Sequence, residues 1–521
     1  MPAKDQHNLV PRAPVVVVMG HIDHGKSTLL DYIRKANIVE TEEGGITQHV
    51  GAYQAEHVSA DGVKHPITFI DTPGHAAFTG IRERGARAAD IAILVVSAED
   101  GVKPQTVEAF KNISDQKIPY IVAINKIDKP NADVDKTKTS LAEHEIYVEG
   151  WGGNIPFVAI SAFKGTGVSE LLELIILQAE LLDLKTDPSA PAEGVVVESS
   201  LDTRKGISAT ILIKNGILET GSFVVADNSF APVRFIEDFM GKKIEMASAS
   251  MPIRIFGWSE IPASGAAFHT VESKKEAEKL VDAFMSKKRQ TGSKPVAAVA
   301  PAIAADKMKP EDAIEGTVIS LPVILKADVI GSLEGVKHEL AKITHDKVQI
   351  KIVSEGIGEI NENDVKTAIG DPTIHLISFN APPEKKAAAM IERSAIPLNV
   401  ASFKIIYELV EYVKEQLMLK VPKEYIEEVT GRAKIMALFS KEKDKQVIGG
   451  KVETGTIESG NDVRIMRRDS EIGRGRIREL QEKKLRVREV AEGHEFGMMV
   501  EAKMEIAPGD RIEAVRTIEK I

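Results

Sequence analysis

Val15-Val-Val-Val-Met19 runs directly into Gly20-His21-Ile22-Asp23-His24-Gly25-Lys26-Ser27, and Thr28–Lys35 continues with helical spacing. The stretch is an apolar strand, a glycine-flanked loop ending in Lys-Ser, and a helix. It fits G-x-x-x-x-G-K-[ST] in the strand-to-helix context that gives this phosphate-loop motif its meaning. The glycines let backbone N–H groups curl around phosphate oxygens, and the helix N-terminus adds positive potential. Lys26 is placed to reach the β- and γ-phosphates, and Ser27 to offer its hydroxyl to Mg2+. A chance glycine turn is the competing reading. The strand, the helix and the motifs that follow set it aside.

Four more apolar runs follow: Ile67–Ile70, Ile91–Val96, Tyr120–Asn125 and Phe157–Ser161. They alternate with helical stretches such as Val168–Leu182. Near-continuous apolar strands separated by helices imply a doubly wound parallel sheet covered on both faces. Such sheets bind ligands in the loops beyond the carboxyl ends of their strands, and the remaining motifs lie there. Asp71-Thr72-Pro73-Gly74-His75 follows the second run. Asp71 can hold Mg2+ through water, and the Gly74 N–H can face a γ-phosphate and so sense GTP against GDP. Asn125-Lys126-Ile127-Asp128 closes a later run. The Asp128 carboxylate can accept from guanine N1–H and the N2 amino group. Adenine offers neither donor and would leave the charge unpaired, at roughly 2–5 kcal/mol. Asn125 and Lys126 frame the base, and Ser161-Ala162, with Phe163 beside them, can direct an N–H at guanine O6. One phosphate loop indicates a nucleotide; four motifs in this order, each at a strand end, indicate guanine.

The rest of the chain divides by composition. A tail over 1–13 precedes the nucleotide-binding domain over 14–185, which the Pro/Ala/Asp linker Thr186–Gly194 closes. Residues 192–285 have β-branched runs broken by turn signals, the pattern of an antiparallel β-barrel. A Pro/Ala-rich linker spans 286–315. Residues 316–400 alternate strand-like and helical stretches and read as a small α/β domain. Phe403–Leu419 has apolar residues at helical spacing and reads as a long connecting helix within 401–430, and 431–521 return to barrel composition. Lys214–Val225 (KNGILETGSFVV) echoes Glu453–Ile465 (ETGTIESGNDVRI). In each, two glycines five apart bracket an apolar pair, which implies one hairpin design used in two barrels.

With 521 residues, 43% apolar and 28% charged, the chain has the composition of about three to five soluble domains. Without a cysteine it can form no disulfide, thiolate metal site or cysteine nucleophile, which suits a reducing compartment. No run of about 18 apolar residues and no signal-like N-terminus is present, so a cytoplasmic protein with no membrane partner is expected. The net charge of −10 argues against indiscriminate coating of nucleic acid. Arg464–Arg488 nevertheless holds ten Lys or Arg against four Asp or Glu. That run is either a solvated sheet face or a phosphate-binding surface.

GHIDHGKS, DTPGH, NKID and SA resemble the motifs of translational GTPases, and Gly44–Tyr53 (GGITQHVGAY) narrows the resemblance to the bacterial translation initiation factor two family. The resemblance covers nearly the whole chain, although the family's long N-terminal extension does not precede Pro14. It implies that Thr47 closes on Mg2+, that His75 positions the attacking water, and that Ile22 and Ile46 form an apolar gate beside it. It implies GTP and GDP as ligands with Mg2+ as cofactor, slow intrinsic turnover, and acceleration by the ribosome. The implied partners are formylmethionyl initiator tRNA, the small and large ribosomal subunits and other initiation factors, with the chain itself a monomer. The terminal barrel would hold the formylmethionyl end of the tRNA through Phe439, Arg467, Arg468, Glu495, Phe496 and Gly497. Two positions depart from the family: Phe163, where Lys is usual beside the base, and Phe496, where Cys is usual. The expectation is that Phe496 packs against the methionine thioether with Phe439 as the facing wall. Trp151 and Trp258 are expected to be packing residues. Two alternatives stand beside this reading. One is another translational GTPase, such as an elongator or specialised tRNA carrier; the other is a biosynthetic enzyme that spends GTP, for which the sequence offers no second active site.

Overall fold

The computed structural model describes residues 9–34, 51–59, 61–74, 76–202, 205–290, 319–421 and 425–519. The first domain is built from β1 (Val15–Gly20), α1 (Lys26–Arg34), β2 (Gly51–Val58), β3 (Lys64–Asp71), α2 (Thr79–Ala88), β4 (Ile91–Ser97), α3 (Pro104–Asp115), β5 (Tyr120–Asn125), α4 (Val134–Glu143), β6 (Phe157–Ala159) and α5 (Val168–Leu181). Its sheet order is β2-β3-β1-β4-β5-β6. All six residues of β1 are buried because both faces of the sheet are covered. Val15, Val17 and Met19 face the core under α2, α3 and α4, while Val16 and Val18 face the one under α1 and α5. This two-sided burial is why the strands read as unbroken apolar runs.

The five apolar runs form the expected parallel sheet, and β2 adds an edge strand that was not among them. It pairs antiparallel with β3, with Tyr53 opposite Phe69 and their rings stacked 5.7 Å apart. Its sequence, GAYQAEHV, is only half-buried, so it lacks the apolar run that marks the five parallel strands.

An antiparallel barrel follows, beginning with Glu193–Asp202 and Gly206–Asn215. Trp258 is buried in it, its Nε1 donating to the Ile255 carbonyl at 3.2 Å. Trp151, by contrast, is 38% exposed, with Lys138 6.0 Å above its ring, so it packs at the surface. Asp90 joins barrel to nucleotide domain: its carboxylate accepts from both Arg12 terminal nitrogens at 2.6 and 2.8 Å, and from Lys214 at 2.9 Å. Burial alone would raise the Asp90 carboxyl, but the two cations hold it below its ordinary range.

Helix α6 (Lys274–Gln290) packs on the barrel. The α/β domain then forms a parallel sheet in which Ile319–Ala327 lies between Val348–Ile357 and His375–Phe379, with Asn399–Phe403 at the edge. Its helices are α7 (Ile330–Ala341), α8 (Glu362–Gly370), α9 (Lys385–Arg393) and α10 (Ile406–Leu419). Gly331 and Gly335 let α7 lie close on α2 and the turn Ala76–Phe78. A Cβ at Gly335 would stand 2.6 Å from the Phe78 ring, and one at Gly331 2.6 Å from Ile81. Arg84 and Glu334 pair across this contact at 2.7 Å.

The connecting helix expected over Phe403–Leu419 is α10, which runs from Ile406 to Leu419 and fills only the middle of the 401–430 segment. Asn399–Phe403 is a strand, α10 ends at Leu419, and a new strand starts at Tyr425. Ile406, Leu409, Val413 and Leu417 of α10 are buried against the α/β domain, so the helix is part of that domain's packing.

Residues 421–521 form a separate compact unit. Its strands close into a barrel because Tyr425–Glu442 pairs with both Lys445–Glu458 and Arg511–Glu519. Ile448, Ile465, Ile477 and Val500 lie in its core. The two echoing segments adopt one geometry. Gly216 and Gly221 have φ of 78° and 97°, Gly455 and Gly460 72° and 95°. Gly221 N–H donates to Val233 O and Val233 N–H to Ser222 O; Gly460 N–H donates to Ile477 O and Ile477 N–H to Asn461 O. The hairpin repeat is therefore structural, down to its closing pair of hydrogen bonds.

A fragment spanning residues 421–521 is expected to unfold in one cooperative urea transition, and Ile448→Ala within it to lose about 2–5 kcal/mol. A gradual, probe-dependent transition in the parent fragment would overturn its autonomy.

Candidate nucleotide site

The loops after β1, β3, β5 and β6 meet at one end of the sheet, and Asn125 ties three of them together. It is 2% exposed. Its Nδ2 donates to the His24 carbonyl at 2.8 Å, and its Oδ1 accepts from the Ala162 N–H at 2.9 Å. Gly25 has φ of 88°, and a Cβ there would stand 2.3 Å from Asn125 Nδ2. Glycine is required both by the left-handed backbone and by this approach. The Ala162 N–H, expected to reach guanine O6, is engaged here by Asn125. Ser161 acts through its hydroxyl, which donates to Asp128 Oδ1 at 2.7 Å. That hydrogen bond holds the Asp128 carboxyl below its usual range, in the charged form that an N–H-rich base edge demands. Lys126 adopts φ of 68°, which turns the chain sharply between Asn125 and Asp128. Phe163 is 81% exposed, so its ring stands open beside this pocket.

In the phosphate loop, Lys26 is 6% exposed, and its Nζ donates to the His21 carbonyl at 2.7 Å. A Cβ on Gly74 would lie 2.5 Å from that Nζ, so glycine is what lets the Asp71–Gly74 segment close over the ammonium. Burial pushes the Lys26 amine down to about 8, against the opposing pull of Asp71. His24 turns inward: its Nδ1 accepts the Ser97 N–H at 3.2 Å, and burial, reinforced by His21, pushes its pKa down to about 3. It is a neutral structural residue at physiological pH. Burial also lowers His21, and Asp23 is exposed at φ of 63°. Thr72 is buried, its hydroxyl donating to the Val18 carbonyl at 2.9 Å, which fixes the segment beside β1. Ser27 and Thr28 follow Lys26 in the first turn of α1, and Asp71 ends β3. Together they offer a hard-oxygen donor set of the kind Mg2+ takes alongside phosphates. Ile46, Thr47 and His75 lie outside the described residues.

Three residues absent from the sequence reading support this site. Gln105 Oε1 accepts the Ile22 N–H at 3.0 Å. Arg82, 1% exposed, donates to the Pro73 carbonyl at 3.1 Å and pairs with Glu108. The sequence signal was an arginine at helical spacing among small residues, with a Pro-Gln-Thr helix start after β4. Only the fold brings the two helices together.

In the terminal barrel the expected tRNA residues do not form one pocket. Phe496 is 5% exposed and lies in the barrel core, its ring 2.9 Å from where a Cβ on Gly450 would stand. Phe439 is 69% exposed, and a Cβ on Gly449 would stand 2.6 Å from its ring. Gly449 and Gly450 are successive residues of one strand, so the rings sit on opposite faces and cannot be facing walls. Glu495 is exposed, and Gly497 pairs with Gly449. The basic run is largely compensated. Arg464 and Arg474 pair with Glu427, Arg467 with Asp510, Arg478 with Glu501 and Arg486 with Glu479. Among the described residues Arg468, Lys483, Lys484 and Arg488 hold no such partner. The run is mainly a solvated sheet face, with its uncompensated cations at or beside turns.

Fold and site together define a multidomain protein built on a GTP-binding domain of the translational GTPase type. The family model "Elongation factor Tu GTP binding domain" matches residues 11–180, "Elongation factor G domain 2" matches 191–271, and "Translation-initiation factor 2" matches 300–414. A protein named translation initiation factor IF-2 from Halothermothrix orenii is 42% identical over 96% of this chain and 71% of its own length. Those from Carboxydothermus hydrogenoformans and Pelotomaculum thermopropionicum are 41% and 43% identical over 99% and 100% of the chain. The chain spans 61% and 52% of these two relatives' lengths. Among solved structures, GDP-bound aIF5B from Aeropyrum pernix is 25% identical, with a TM-score of 0.43, over 97% of this chain and 92% of that one. This chain belongs to the translation initiation factor IF-2 family.

A phosphate anion beside Lys26 restores the charge that burial suppresses, so nucleotide binding near and above pH 8 must take up a proton and weaken as pH rises. Calorimetry of GDP binding at pH 8.5 in buffers of different ionisation enthalpy is expected to show this uptake. A buffer-independent enthalpy would refute it.

Proposed function

We propose that this protein is a translation initiation factor that hydrolyses GTP to GDP and phosphate. With GTP bound it recruits formylmethionyl initiator tRNA to the small ribosomal subunit and promotes joining of the large subunit; it leaves after ribosome-stimulated hydrolysis. It acts as a cytoplasmic monomer alongside other initiation factors. The observation that carries the reading is the Asn125 tie, which gathers the phosphate loop and the base-reading loops at one end of the sheet. Family membership over essentially the whole chain supports the initiation role.

In this reading Asp128, held charged by the Ser161 hydroxyl, accepts from the guanine edge. The phosphate loop from Gly20 to Ser27 cradles the phosphates, and Lys26 neutralises charge between β and γ. Ser27, Thr47 and, through water, Asp71 hold Mg2+, which supplies further charge neutralisation on the phosphates. His75 orients the water that attacks the γ-phosphorus, with Ile22 and Ile46 excluding other water. Little covalent chemistry is needed, so the rate depends on positioning. In the terminal barrel, contact with tRNA phosphates falls to turn-borne cations such as Arg468, while Phe439 offers an exposed ring.

Asp128→Asn should weaken GTP binding and shift preference toward xanthine nucleotides, whose edge accepts what the amide donates. Unchanged GTP affinity in the variant would remove the base assignment. His75→Ala should retain GTP and initiator tRNA binding but slow single-turnover hydrolysis on ribosomes by ~100-fold or more. Equal rates for variant and parent would disprove the water-positioning role.

A further inference from the structure

The phosphate loop at Ile22 and the Asp71–Gly74 segment lie side by side, a Cβ on Gly74 standing 3.3 Å from the Ile22 side chain, and on the proposed reading the γ-phosphate sits between them. Ile22 and Pro73 both lie beyond the ends of the strands that precede them, Val15–Gly20 and Lys64–Asp71. Both are gripped from the first turns of α3. Pro104 at the helix start and the Lys103 N–H bonded to the Thr106 hydroxyl make this end of α3 rigid. Gln105 and Glu108 are three residues apart and therefore project from one face. Gln105 Oε1 takes the Ile22 N–H at 3.0 Å. Glu108 Oε1 takes the Thr79 hydroxyl at 2.7 Å and pairs with Arg82, whose other terminal nitrogen donates to the Pro73 carbonyl at 3.1 Å. Arg82 is 1% exposed, so its guanidinium is held by these partners and not by solvent. A planar guanidinium can satisfy Pro73, Thr79 and Glu108 together; a lysine ammonium in the same space cannot reproduce that fork.

We propose that the N-terminal turns of α3 are a positioning clamp for GTP hydrolysis: Gln105 fixes the phosphate loop at Ile22, and Glu108, through Arg82, fixes Pro73. One rigid helix then sets the separation of the two segments between which the γ-phosphate reacts. Gln105, Arg82 and Glu108 are positioning residues, since each acts through the backbone of another. GDP, lacking the γ-phosphate, does not need that separation held; GTP and its transition state do. The inference rests on the GTP-hydrolysing reading.

The test uses the full chain with Gln105→Leu, Gln105→Glu and Arg82→Lys. Melting temperature, Kd for fluorescent GDP, Kd for a non-hydrolysable GTP analogue and the single-turnover rate are measured for each. Gln105→Leu and Arg82→Lys are expected to keep GDP affinity within about twofold while analogue affinity and hydrolysis rate fall by about tenfold. Gln105→Glu keeps the acceptor for Ile22 and should recover most of the loss. A purely structural role would instead lower melting temperature and weaken GDP and analogue binding alike, and that result overturns the clamp. So does parental analogue affinity and rate in Gln105→Leu. If the parent binds GTP yet never turns it over, the hydrolysis reading fails, and the GDP-to-analogue ratio still decides the clamp.

Discussion

The nucleotide domain depends on one buried amide. Asn125 donates to the carbonyl of His24 and accepts from the N–H of Ala162, so loops more than thirty residues apart in sequence share a single side chain. A buried amide with a missing partner leaves a polar group desolvated, at about 1–3 kcal/mol. The three loops are therefore in register only when all of them are in place. The left-handed glycine at 25 follows from the same contact, because a Cβ would stand where the Asn125 nitrogen stands.

Several buried charges of the first unit are met by opposite charges. Arg82 is answered by Glu108, Arg12 and Lys214 by Asp90, and Lys326 by Asp364. Breaking such pairs costs more than forming them gains, because the stranded partner stays out of water. Their effect is to fix geometry: Asp90 joins nucleotide domain to barrel, and the α3 residues join the phosphate loop to the segment after β3. Helix α7 adds a further constraint, its Gly331 and Gly335 lying against Ile81 and Phe78. The turn Ala76–Phe78 and helix α2, which follow the Asp71–Gly74 segment, are thus in contact with the α/β domain as well as with their own.

The terminal unit illustrates how charge in sequence differs from charge in space. Arg464–Arg488 is strongly basic as a string. Its strands lie beside Glu427, Asp510 and Glu501, which come from elsewhere in the chain and neutralise it across the sheet. Exposed pairs of this kind contribute little each, but they remove most of the positive field. Cations such as Lys483 and Lys484 escape because they occupy a tight turn, both at positive φ, where no neighbouring strand can supply a partner.

The sequence by itself determined the motifs, their order at strand ends, the guanine reading, the two barrels and the hairpin they share. These are set by local rules: unbroken apolar runs for strands buried on both faces, glycines where φ is positive, and Lys-Ser at a helix start. It did not determine the edge strand Gly51–Val58, whose half-buried alternation carries a weak signal. Only the tertiary structure decided that Ala162 serves Asn125, that His24 is buried and neutral, that Phe439 and Phe496 lie on opposite faces, and that Arg82 belongs to the site. Each of these turns on which side of a strand or helix meets a distant segment. A one-residue offset reverses a strand face, and no local pattern encodes the partner that will be there.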